Sequence, residues 1–554
     1  MEAKILWGAL SLLRIVWCLL PQPGYIHPDE FFQSPEVIAG DILDLEINRP
    51  WEFQPAFACR TVLFPLLTSG VAFWIIKIFH PICTVKTFSS SYVLLVIPRL
   101  FITILSFLVD YFVYRIAPIW GSDCWKALNL LAASYVTLVF YTRTTSNAIE
   151  GIMFALILFI TRPGINLKNQ CKLRSGLLIG IVLAAGFFNR PTFLGFAFIP
   201  VLYWAGKCNN TLFSFKTAFV HILQLLPTFV ITAIIFIVSD TVYYRGFYLF
   251  SVCRTQTSTD CVLQNIVLTP LNFLRYNLNP ENLAVHGTHP PITHLAVNAV
   301  MLFGSLHLSA ASEVVKLIIY TTVWRMKSNH SDYKKSFTQQ HCLLLCFYFM
   351  PLILLSLFKH QEPRFLIPLL LPLILFASQH NQKIHLKCVI IFNILGALFF
   401  GTLHQGGLVP SLAHIQRTVH SACLQNNSSH YTVLFTHTYM PPKHLFFLKK
   451  GQNSVRVIDL AGFDKDHLCQ KLIEMKSDLL TRTMLQDQRK QVFLIVFPGT
   501  IAPVVDNCKL VIKEKIFFFP HLSMEDPPHI GHMLKDKVLN LLALHLVEVN
   551  IPER

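Results

Sequence analysis

"ILWGALSLLRIVWCLLPQPGYIHPDEFFQSPEV", residues 5–37, runs from an apolar stretch straight into a histidine and three carboxylates. Residues 5–21 come close to the roughly 20 needed to cross about 30 Å of hydrocarbon. The segment that follows, "PQPGYIHPDE", lacks a small-x-small cleavage pattern, so the run reads as a retained first span and not as a removable signal peptide. The adjacent acids Asp29 and Glu30 therefore stand at the edge of a bilayer, where a charge is costly unless it has a use.

Composition extends this reading to most of the chain. Of the 554 residues, 53% are hydrophobic and only 14% charged, and the mean hydropathy is +0.51, far outside the range of soluble domains. Span-length apolar stretches recur from Ile5 to about His404. Beyond them, Gln405–Arg554 mixes charge, proline and asparagine with short β-type runs such as "VFLIVF" (492–497). These patterns predict an all-α polytopic membrane domain over residues 1–404 and a smaller mixed α/β domain over 405–554.

The net charge of +16 is scattered among short loops, with no basic stripe interleaved with aromatics, which excludes nucleic acid as a partner. The fourteen cysteines form no CxxC pair and no cysteine–histidine spacing of a zinc site. Cys342 and Cys346, in "HCLLLC", read as helix-packing residues, while Cys253 and Cys261 bracket a polar stretch that suits a loop disulfide in an oxidising compartment.

Orientation follows from the distribution of positive charge. Residues 161–174, 206–216, 323–335 and 381–387 are basic and belong in the cytosol. Residues 24–60 carry seven acids against Arg49 and Arg60 and belong on the other side. Threading the chain under these constraints predicts eleven spans, at 5–20, 61–80, 92–116, 127–161 (bent at "YTRTTSNAIE"), 176–188, 192–205, 217–238, 295–322, 341–358, 364–378 and 387–404. The N-terminus is then cytosolic and 405–554 luminal, so the sequons at Asn426 and Asn427 face the lumen and that at Asn329 the cytosol.

The threading sends six polar motifs to one face: "HPDE" (27–30), "RTTSN" (143–147), "FFNRPTF" (187–193), "SDTVYYRG" (239–246), "NLAVHGTHPPITH" (282–294) and "KHQEPRF" (359–365). Arg190 interrupts a long apolar stretch; Arg99, alone in another, is expected to pair with Asp110. Convergent carboxylates, histidines and arginines without metal-ligand spacing suit glycosyl transfer from a lipid-phosphate sugar, a carboxylate serving as general base and cations stabilising the leaving phosphate. The same groups also suit a proton-coupled transporter, although no internal repeat accompanies them.

"HPDEFFQSPEV", "RPWEF", "FYTRTTSNAIE", "FFNRPTF" and "HQEPRFLIPLL", in that order, resemble the dolichyl-phosphate-mannose-dependent mannosyltransferases of glycosyltransferase family 22. The likeness covers about residues 5–400 and is nearest to the branch acting on the glycosylphosphatidylinositol (GPI) precursor; a sibling branch acting at another GPI mannose or on the N-glycan precursor is the alternative. Gln361 departs from the lysine that several relatives carry there.

The resemblance implies a GT-C glycosyltransferase fold with the catalytic carboxylate in the first luminal loop. It further implies a multi-pass protein of the endoplasmic reticulum membrane, a dolichyl phosphate mannose donor, a lipid-linked GPI precursor acceptor, an inverting α-1,2 transfer, and neither metal nor cofactor. On that basis Asp29 is expected to be the base, with Glu30 orienting it or binding a sugar hydroxyl. Arg190, His360 and Arg364 are expected at the donor phosphate, and His27, Arg143, Asn147, Asn189, Asp240, His286, His289 and Glu362 around the sugars.

Overall fold

The computed structural model describes residues 1–79, 90–162, 169–206, 214–248, 264–285, 287–319, 338–380, 382, 384–424, 429–452, 454–485, 490–508, 510–528 and 538–550. The sequons, His286, and Cys253 with Cys261 lie outside the described residues. Two compact units emerge: Met1–Val16, Pro50–Leu67 and Phe101–Ile394 form one, and Trp17–Arg49, Thr68–Leu100 and Leu395–Arg554 form the other. The C-terminal region does not close on itself but shares a unit with residues 17–49 and 68–100.

The first unit is helical. Among the described residues, four helices of the chain are long and apolar enough to cross a membrane: Ser91–Trp120, Phe215–Gly246, Gln339–Ser356 and Leu386–Leu403, with six shorter apolar helices beside them. Phe215–Gly246 is only 11% buried over its most apolar window and displays Ile231, Ile234, Ile235 and Val238 outward, the surface a lipid-facing helix presents. One expected span is interrupted at its expected bend, and another is broken. Residues 127–161 divide into Cys124–Ala133, capped by Asp123, and Ser146–Ile160, capped by Thr145. Residues 295–322 break at Gly304, whose φ of +51° ends Ala299–Phe303 before Ser305–Ile319 begins.

Charge inside these helices is matched. Arg14 and Asp110 form a buried ion pair at 2.7 Å; Arg14 also donates to Ser106 Oγ, and Trp7 Nε1 donates to Asp110. This overturns the expected Arg99–Asp110 pair.

The second unit is built on a five-stranded sheet: β1 (Ser429–Phe435), β2 (Val455–Asp459), β3 (Lys490–Pro498), β4 (Ile512–Phe518) and β5 (Leu544–Val549), in the order β2-β1-β3-β5-β4. β2, β1 and β3 run parallel, while β5 is antiparallel to both β3 and β4. The "VFLIVF" run becomes the middle of β3, apolar on both faces because both are covered. On one face Leu468, Leu472 and Leu479 of the helix Lys465–Leu485 pack against Leu434, Phe493, Ile495, Phe497, Val547 and Val549. The helix Leu408–Leu424 lies against β1, β4 and β5. A disulfide joins Cys469 to Cys508 with Cα atoms 5.0 Å apart.

His521 and His545 are buried in this unit, and burial, aided for His521 by His404 and His545 nearby, holds their pKa values down at about 3 and about 4. An unfolded chain takes up protons at these positions below about pH 6.5, whereas the folded unit does not until it reaches those lower values. Stability contributed by the neutral rings is therefore full above pH 6.5 and is lost as pH falls towards 4. The thermal midpoint of the purified protein should drop steadily between pH 6.5 and 4, and His545→Gln should flatten that drop. An unchanged slope in the variant would show that this ring is not involved.

Candidate active site

In the second unit the chain leaves its first helix and runs extended to Tyr25, Gly24 N–H donating to Gly401 O at 3.0 Å and Tyr25 N–H to His404 O at 2.9 Å. A Cβ on Gly24 would lie 2.3 Å from Phe400 O, so only glycine permits this approach. Pro28 then starts a single helical turn, Asp29–Phe32, its carbonyl accepting from the N–H groups of Phe31 and Phe32. Successive residues on a helix point about 100° apart, and this separates the two acids.

Glu30 turns inward. Its carboxylate meets Arg99 Nε at 2.7 Å, with side-chain exposures of 1% and 2%, and Arg99 also donates to Gln22 O. Asp29 stays 21% exposed beside His27, whose Nδ1 lies 3.4 Å from its carboxylate. The Asp29 N–H donates to the same His27 nitrogen, and Gln33 Nε2 donates to Asp29 Oδ2. Of the adjacent pair, only Asp29 can meet a substrate without first breaking a buried ion pair.

The first unit gathers a second cluster around Phe365. The guanidinium of Arg190 lies 4.8 Å and that of Arg364 5.5 Å from its ring centroid, and the His360 ring lies 5.9 Å away. Arg364 Nε donates to Glu362, which also accepts from His360 Nε2 at 2.6 Å. That hydrogen bond, ahead of the opposing effect of burial, raises the His360 pKa above its ordinary value. His289 lies across from His360, ring centroids 6.0 Å apart, with its Nδ1 accepting from Gln361 N–H.

Sequence reading passed over Glu150, the last residue of "FYTRTTSNAIE". It is fully buried, 3.7 Å from Arg190 Nε, and accepts from Thr192 Oγ1 and Asn147 Nδ2. Asn189 and Arg190 donate to the backbone and hydroxyl of Ser146, and Arg143 is buried. A lone acid in an apolar helix carried the signal, since such a group requires a cation nearby.

Asp240 joins three segments: one oxygen accepts from Thr61 Oγ1 and Val62 N–H and the other from Thr269 Oγ1, all buried. It ties the start of one helix to another segment. Gln361 is structural too, accepting from His294 N–H and donating to the carbonyls of Ser356 and Phe358 at the end of Gln339–Ser356. Its amide needs both donor and acceptor there, which a lysine ammonium cannot supply. Among the described residues no three His, Cys, Asp or Glu side chains group as metal ligands.

An apolar multi-helix chain that spends its buried acids and arginines on polar motifs at helix ends has the make-up of a membrane-embedded transferase. The model of the Alg9-like mannosyltransferase family matches residues 5–448, and the chain belongs to that family. It is 46% identical to human "GPI alpha-1,2-mannosyltransferase 4" over 99% of this chain and 94% of that one. To "GPI mannosyltransferase 4" of Saccharomyces cerevisiae it is 31% identical, over 73% and 71%. The apo crystal structure of ArnT from Cupriavidus metallidurans aligns over 98% of this chain and 97% of its own with a TM-score of 0.44 and 12% identity. The protein is thus a membrane mannosyltransferase, and the transporter alternative falls away.

The buried pair yields a stability prediction. Glu30→Gln leaves the Arg99 charge uncompensated and should cost about 3–5 kcal/mol, whereas Asp29→Asn, at a partly exposed position, should cost far less. Thermal unfolding of both variants in detergent checks this, and equal midpoints would contradict the division of roles.

Proposed function

We propose that this protein transfers mannose from dolichyl phosphate mannose to the third mannose of a GPI precursor, through an inverting α-1,2 transfer in the lumen of the endoplasmic reticulum. The observation that carries the reading is the 46% identity, over nearly the whole length of both chains, to the human enzyme whose name states an α-1,2 linkage and GPI. The GT-C class goes with this proposal through the family match. The Cys469–Cys508 disulfide supports a luminal position for the second unit, since such bonds persist in oxidising compartments.

Asp29 accepts the proton of the acceptor hydroxyl as its oxygen attacks the anomeric carbon. The bond from that carbon to the phosphate oxygen breaks with its electron pair, and dolichyl phosphate leaves. Arg190, Arg364 and His360 take up the charge developing on the phosphate, a task that positioned cationic donors perform without a metal ion. The raised pKa of His360 favours its imidazolium form near neutrality. One displacement with one base inverts the anomeric centre. Arg143, Asn147, Asn189, His27 and His289 hold sugar hydroxyls, while Glu150 and Glu362 orient the arginines beside them. His286 stays in this proposal as a sugar-side residue on sequence grounds alone.

Mannose transfer from dolichyl phosphate mannose to a trimannosyl GPI precursor in detergent tests these roles. Asp29→Asn should lower the rate about 10²–10⁴-fold while the wild-type rate survives EDTA. Near-normal turnover in Asp29→Asn would remove it as the base, and loss of activity in EDTA with recovery on adding Mn²⁺ would contradict the metal-free mechanism.

A further inference from the structure

The loop after β1 belongs to the same unit as Asp29 and returns to the turn that carries it. Glu36, four residues beyond Phe32, is the anchor. Its carboxylate accepts from the N–H groups of Asn48 at 2.8 Å, Lys443 at 3.1 Å and His444 at 3.1 Å, and from His444 Nδ1 at 2.5 Å. Both side chains of the Glu36–His444 pair are wholly buried, and the His444 ring sits 5.9 Å from Phe31. A buried carboxylate with four donors holds residues 443–444 in one place.

Just before this anchor, Tyr25 Oη donates to Met440 O at 3.0 Å. Tyr439 is thereby set among the residues around the acid, its ring centroid 5.5 Å from Tyr25, 6.3 Å from His27 and 5.6 Å from His404. Tyr25 and His404 are buried, whereas Tyr439, His27 and Asp29 keep part of their surface open. An aromatic ring, an imidazole and a carboxylate thus share one partly open rim.

We propose that Tyr439 is the aromatic platform for the terminal mannose of the acceptor. A pyranose carries a face of C–H groups and a periphery of hydroxyls. Packing the C–H face on a π-surface removes apolar carbon from water and meets the negative face of the ring with weakly positive hydrogens. The hydroxyls then remain available to Asp29 and His27. The inference rests on the reading of Asp29 as the base, and it adds the role that residues 436–447 serve: the C-terminal region completes the acceptor side of the site. Because the Glu36–His444 anchor is independent of substrate, the platform is in position before binding, which lowers the ordering cost.

The test is steady-state kinetics with a synthetic mannose-terminated glycolipid acceptor and dolichyl phosphate mannose. Tyr439→Ala should raise the acceptor KM about tenfold with kcat and donor KM within about twofold of wild type, and Tyr439→Phe should keep the wild-type acceptor KM. Tyr439→Leu, which keeps apolar bulk but no ring, gives the same comparison should the alanine variant not fold. An unchanged acceptor KM in Tyr439→Ala or Leu, a loss confined to kcat, or a phenylalanine variant as impaired as alanine would each overturn the proposal. If wild type transfers mannose, Asp29→Asn does not and Tyr439→Ala is normal, this inference alone fails. If wild type shows no transfer or Asp29→Asn remains active, the catalytic reading beneath it fails.

Discussion

Glu30 and Arg99 meet at 2.7 Å with almost no exposure on either side, and Arg99 reaches on to the carbonyl of Gln22. Beside a membrane span, neither charge is tolerable alone, because removing one partner leaves the other stranded in a medium of low polarity. The pair therefore fixes the turn of helix between residues 29 and 32 against the helix Ser91–Ile116. Helical geometry then dictates that Asp29 faces the other way. Two chemically similar acids are divided by burial into an anchor and a group open to substrate.

The same rule runs through the rest of the molecule. Arg14 is matched to Asp110, Arg190 to Glu150, Arg364 and His360 to Glu362, and Asp240 to three donors. Where a buried acid is held by several donors, as at Asp240 and Glu36, the interaction joins segments distant in sequence. Where exposure persists, as at Asp29, His27 and Tyr439, the side chain retains surface for a substrate. Within the turn Asp29–Phe32, exposure, more than residue type, thus separates the anchor Glu30 from the candidate Asp29.

Much of this could be read before the structure. Apolar length located the helices, and the apolar run 492–497 announced a covered strand. The motifs around Asp29, Arg190 and Arg364 stood out because charge is scarce in an apolar chain. The unread features depend on partners far apart in sequence. Asp110 stands eleven residues beyond Arg99 on one helix, about 16 Å along its axis and out of reach, so Arg99 takes Glu30 and Arg14, inside the first apolar run, takes Asp110. Glu36 and His444 are 408 residues apart, and Cys469 bonds Cys508 across a helix and a strand. No periodicity encodes such pairs. Residues 17–49 likewise join the C-terminal sheet region only in three dimensions.

If Glu30 is an anchor and not a participant in the chemistry, the pair should be replaceable as a unit. The direct measurement is the mannose-transfer rate of the double variant Glu30→Gln/Arg99→Met, in which neither charge remains to be stranded. The account predicts turnover per folded molecule within about threefold of wild type, since exchanging a buried pair for uncharged groups is often close to neutral. A double variant that folds normally but transfers mannose no faster than Asp29→Asn would contradict it, and would return Glu30 to the reaction itself.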